Sequence, residues 1–86
     1  MILHTTEVSP LAGYRLLLRF NNGVAGEVNL ANELDGEVFE PLRDPALFAT
    51  ASQHPVMRTA AWANSADLAP EFLLDLMRAQ QGDRAA

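Results

Sequence analysis

The chain has 86 residues, enough for one domain and too few for a second core. Apolar residues make up 49% of it, which excludes a disordered chain, and the absence of cysteine leaves packing alone to hold the core, with no disulfide and no zinc clamp. Eleven acids against six arginines and no lysine give a net charge of −5, which argues against autonomous nucleic-acid binding and suits a soluble protein or one that meets a basic partner.

The N-terminal residues, Met1 to Glu7, carry no basic stretch and no long apolar run, so no signal peptide is expected. No apolar stretch is long enough to cross a bilayer, and a cytoplasmic location is the expectation. Thr5-Thr6-Glu7-Val8 reads as a strand ended by Ser9-Pro10. Next comes a β-hairpin, over about residues 14–30. Its strands are Tyr14–Phe20 and Val24–Leu30, and Asn21-Asn22-Gly23 supplies the turn chemistry.

Side-chain parity sets the hairpin register. A three-residue loop pairs Phe20 with Val24, Leu18 with Gly26, Leu16 with Val28 and Tyr14 with Leu30, which gathers the apolar residues on one face. It also places Gly23 at the left-handed position that closes such a loop. On the other face Glu27 lies diagonally between Arg15 and Arg19.

Ala31–Leu34 reads as a short helical turn and Phe39–Arg43 as a turn or single helical turn. Asp44 then caps a new helix with Pro45 at its first position, and Phe39, Leu42, Leu47 and Phe48 plug one side of the sheet. Met57–Trp62 is expected as a strand, paired with Ala49–Ser52 across a turn at His54-Pro55. The last helix starts at Pro70, carries an apolar stripe of Phe72, Leu73, Leu76 and Met77, and stops at Gly82. The expected architecture is α+β: a small antiparallel sheet built on the hairpin, short helical turns and one packed C-terminal helix. Residues 1–81 form the single domain, with 82–86 as a frayed tail.

Two clusters could carry function. Trp62, Asn64, Ser65 and Asp67 gather polar groups beside an aromatic ring ahead of a helix, which suits a ligand or partner site. The structural alternative has Trp62 in the core and Asn64 and Asp67 tying the turn to backbone, and we favour it. Glu33, Asp35, Glu37 and Glu40 form an acidic segment with Asp44. Their order around Gly36 does not match a calcium loop, so no metal is expected; the segment is a solvated surface, or a docking surface for a basic partner. His4 and His54 lack metal-ligand spacing, and neither a nucleophile elbow nor a phosphate-binding loop is present, so no catalytic residue or cofactor is assigned.

Three stretches carry a resemblance. They are Leu18–Val24 with Glu27–Leu30, then Val38–Phe48, and Trp62–Glu71. Together they resemble the small bacterial family catalogued as domain of unknown function 2442. The resemblance implies a small α+β domain with an antiparallel sheet and no established activity. Some relatives carry an added helix-turn-helix DNA-binding segment, and some sit beside small genes suspected of toxin–antitoxin roles. The family's usual Trp-Pro-Asn-Gly turn reads Trp62-Ala63-Asn64-Ser65 here, and the chain ends soon after its last helix, so no DNA-binding addition is expected. The resulting expectation is a non-enzymatic interaction domain, antitoxin-like or accessory in a two-protein system. Its partner is a protein, of basic character, with homodimerisation through an exposed hairpin edge as a further mode. The competing expectation is a small-ligand or sensor domain using the Trp62–Asp67 turn.

Overall fold

The structure, a computed structural model, describes residues 2–85, with side chains as far as Gln81. Its elements are β1 (Thr5–Leu11), β2 (Arg15–Phe20), β3 (Ala25–Asn29), a 3-10 turn (Glu40–Arg43), α1 (Pro45–Phe48), β4 (Ser52–Gln53), β5 (Ala60–Ala61) and α2 (Pro70–Ala85). Strands β1, β2 and β3 form one antiparallel sheet in that order, and β4 and β5 form a second. The architecture is the α+β arrangement that the sequence implies.

The hairpin takes the parity-derived register, with Leu16 opposite Val28 and Leu18 opposite Gly26. Phe20 N–H donates to the Val24 carbonyl (2.8 Å), and Gly23 sits at φ +90° as the loop requires. Leu16, Leu18 and Val28 are wholly buried; such side chains are each worth about 1.5–3 kcal/mol. A one-residue slip would expose them all.

β1 is longer than expected and runs through Ser9-Pro10 to Leu11. Ladder alternation explains why. Leu16, Leu18 and Phe20 direct their backbone groups to β3, so Arg15, Leu17 and Arg19 bond to β1, opposite Leu11, Ser9 and Glu7. Pro10 therefore turns its missing N–H to the free edge, where an edge strand tolerates it. The same alternation leaves Asn29 on β3 facing away from β2. There the Gln80 side-chain amide acts as a substitute strand: its Oε1 accepts from Asn29 N–H and its Nε2 donates to the Asn29 carbonyl, both at 2.8 Å. That clasp ties α2 to the β3 edge.

Three further expectations need correction. Tyr14 lies outside β2, at φ +60°, because its ring turns inward rather than extending the strand. The Met57–Trp62 strand shrinks to Ala60–Ala61, paired with Ser52–Gln53 rather than with Ala49–Ser52. Residues 54–59 instead close a tight turn: His54 N–H donates to the Thr59 carbonyl and Arg58 N–H to the His54 carbonyl, both at 2.9 Å. On α2, Leu74 joins Leu73 and Met77 in the core while Phe72 is 39% exposed and Leu76 half-buried. Periodicity finds a face centred on Leu73 and Met77, but the rotation of the helix over β3 decides which flank is covered.

α2 also continues past Gly82, where the sequence places its stop. A glycine weakens a helix by about 1 kcal/mol but ends it only where the chain must turn. The proposed tail at 82–86 thus overlaps this helix, and Ala86 lies outside the described residues. No helix is long and apolar enough to cross a membrane among the described residues.

The clasp gives a direct test. Gln80→Ala removes two hydrogen bonds at a partly exposed site and should lower unfolding free energy by about 1–2 kcal/mol in urea denaturation. Gln80→Glu keeps the shape but loses the donor, and should recover little of it.

Candidate binding cleft

The Trp62–Asp67 segment is a turn built like the hairpin loop. Trp62 N–H donates to the Ala66 carbonyl (2.9 Å) and Ser65 N–H to the Trp62 carbonyl (3.0 Å). In the hairpin loop Phe20 bonds Val24 and Gly23 bonds Phe20 in the same pattern. In each loop an Asn side chain accepts from the backbone two residues on: Asn22 from Val24 at 3.0 Å, Asn64 from Ala66 at 3.1 Å. Ser65, at φ +71°, takes the left-handed place that Gly23 holds.

Two of the four side chains that made this turn a site candidate, Trp62 and Asn64, are engaged with the protein itself. Trp62 is 4% exposed and its indole N–H donates to the Phe48 carbonyl at 3.1 Å. Asn64 also donates to the Val38 carbonyl (3.1 Å). Asp67 is half-buried and pairs through its backbone with Ala61, while its carboxylate has no hydrogen-bond partner among the described residues. Ser65 is exposed.

The acidic residues are spread along the connection from β3 to α1. Asp35 meets Arg43 at 3.2 Å with both side chains largely in water, a pair worth little. Glu37, Glu40, Pro41 and Asp44 line one shallow surface depression, and Glu33 stands apart beside Asn32 and Leu76. No group of three or more metal-ligating side chains gathers among the described residues.

A better-formed concavity lies elsewhere. A cleft of about 250 Å³ opens between the β1–β2 turn and α1, lined by Pro10, Leu11, Ala12, Gly13, Tyr14, Pro45, Phe48 and Ala49. Two successive left-handed residues, Gly13 (φ +78°) and Tyr14 (φ +60°), shape its wall. A bulky residue in that region costs on the order of 1–2 kcal/mol and persists only where its surroundings hold it. Here the Tyr14 ring stands edge-on to Phe48 (centroids 5.5 Å apart, planes at 86°) and its hydroxyl donates to the Arg43 carbonyl. Its carbonyl accepts from Leu30 N–H at 2.8 Å. The opposite wall follows from Asp44, whose Oδ1 accepts from Ala46 N–H (3.0 Å) and starts α1 as the sequence predicts. Asp44 of the acidic depression and Pro45 of the cleft are neighbours in the chain.

Sequence reasoning finds both walls as secondary structure but not the cleft, because its residues come from positions 10–14 and 45–49, separated in the chain. The one local signal is Ala12-Gly13-Tyr14 between two strand-like runs.

Residues 5–79 match the profile of a family described as "Protein of unknown function (DUF2442)". No curated protein matches the chain. Among solved structures it is similar to a crystal structure from Nitrosomonas europaea ATCC 19718 called "Putative DNA Binding Protein", at 23% identity and a TM-score of 0.82. The match covers 95% of this chain and 53% of that one, so the chain spans about half of that protein's length.

The left-handed serine supplies a test. Ser65→Gly should raise unfolding free energy by about 1 kcal/mol by relieving a non-glycine residue at positive φ, and Asn64→Ala should lower it by about 1–2 kcal/mol. Both are read from chemical denaturation.

Proposed function

This chain belongs to the protein family of unknown function DUF2442, and from that premise we propose that it is a non-enzymatic protein-interaction module whose contact point is the cleft beside Tyr14. The observation that supports this most is the cleft's construction: an apolar hollow with a strained aromatic wall, next in the chain to Asp44 of the acidic depression. Its volume, about 250 Å³, is below the roughly 300–1,000 Å³ usual for small-molecule sites, and suits a single apolar side chain from another protein. The acidic depression and the net charge of −5 favour a partner with basic groups around that anchor. An antitoxin-like or accessory place in a two-protein system in the cytoplasm is the form of this reading that the family resemblance suggests.

The small-ligand reading of the Trp62–Asp67 turn has less support, since Trp62 and Asn64 spend their hydrogen bonds on backbone carbonyls and amides. A DNA-binding reading rests on the name of a protein about half of whose length this chain covers, and it runs against the charge.

A photo-cross-linking residue at Ala49, in the full chain inside bacterial cells, should capture a protein in stoichiometric yield. Ala12→Trp, which fills the cleft, should abolish the product. Capture that survives Ala12→Trp, or none at all, contradicts the reading. In gel-shift assays at physiological salt the protein should leave duplex DNA unshifted.

A further inference from the structure

Building on the interaction reading above, we propose that the cleft is filled by a second copy of this chain, through the turn at residues 55–58. That turn is the matching half of the contact. Val56 is 82% exposed and Met57 54% exposed, side by side at the tip of the β4–β5 hairpin, with Arg58 next in the chain. An apolar tip flanked by a cation is what an apolar cleft next in the chain to Asp44 would take.

The tip is rigid in form. The His54 ring Nδ1 accepts from both Val56 N–H (3.1 Å) and Met57 N–H (3.0 Å), and Arg58 is held at φ +53°. Of the three non-glycine residues at positive φ among the described residues, Ser65 belongs to the Trp62 turn. The other two, Tyr14 and Arg58, stand at the cleft and at the tip. A loop already held in its docking shape loses little entropy on association.

Placement along β1 makes the contact reciprocal. Thr5, at the start of β1, bonds the Arg58 carbonyl at 3.0 Å, so the tip lies at that end. Pro10 and Leu11, at the other end, line the cleft. Seven extended residues separate the two ends by roughly 20 Å. A two-fold axis that sets β1 antiparallel beside its copy matches the end of β1 that carries the tip to the end that lines the cleft, a self-complementary, closed arrangement. Pro10 on the free edge prevents a continuous ladder there, so the two tips, and not strand pairing, carry the contact. Within it Arg58 approaches Asp44 and Glu40 of the other copy, which offsets locally the repulsion between two chains of charge −5.

The chain has no cysteine, which makes the test clean. Sedimentation equilibrium should show a reversible dimer with a dissociation constant on the order of micromolar, as expected for a small interface. Met57→Glu at the tip and Ala49→Trp in the cleft should each weaken it about tenfold or more, while circular dichroism stays unchanged. Mixed Met57→Cys and Ala49→Cys chains should form a disulfide under mild oxidation, and neither variant alone should do so. A monomeric wild type, or a dimer indifferent to both substitutions, overturns the proposal. A monomer that still cross-links to a different protein from Ala49 also overturns it, and leaves the interaction reading standing.

Discussion

The ring of Phe48 is wedged between Tyr14 and Trp62, at 5.5 and 5.9 Å, and through it the four-residue helix α1 joins the two sheets. Tyr14 brings the end of the hairpin to this joint, and Trp62 brings the end of the second sheet. The Phe48 carbonyl accepts the indole N–H, so the peptide and the ring of one residue are both engaged. So short a helix has no stability of its own, and it exists because Asp44 caps it and these rings enclose it. Tyr14 in turn keeps its left-handed backbone because the Phe48 ring and the Arg43 carbonyl hold its side chain. The cleft is the outward side of this joint.

Secondary contacts reinforce it. Thr50 donates to the Leu47 carbonyl (2.7 Å) and accepts from Ala63 N–H (3.0 Å), tying the end of α1 to the Trp62 turn. The two buried threonines, Thr5 and Thr59, bond to Arg58 and Leu68 carbonyls, and no buried side-chain polar atom lacks a partner among the described residues. Both free sheet edges are managed, by the Gln80 clasp on β3 and by Pro10 on β1.

The hairpin was legible because side-chain parity admits one register that buries Leu16, Leu18 and Val28 together. The α1 start was legible because Asp44-Pro45 is a local capping signal whose meaning does not depend on tertiary contacts. The failures share a different cause. The length of β1 depends on which side of the strand is paired, the covered flank of α2 on helix rotation, and the shortness of β5 on a histidine that caps its own turn. Of the candidate sites, the Trp62 turn was found from composition, and the Trp62 and Asn64 side chains in it bond to the backbone. The cleft left no composition signal, because proline, alanine and glycine line much of it and its shape comes from Tyr14's backbone.

Phe48 serves both as joint and as cleft wall. Trp62 is the chain's only tryptophan, so its fluorescence reports one end of the joint, while the amide shifts of Ala12, Gly13 and Tyr14 report the other. The decisive measurement is acrylamide quenching together with an amide correlation spectrum on Phe48→Leu. Trp62 should become more accessible and the three turn amides should shift together, in a protein that remains folded. A shielded Trp62 with an unmoved β1–β2 turn would show that the two sheets hold their positions without the ring, and would contradict the account.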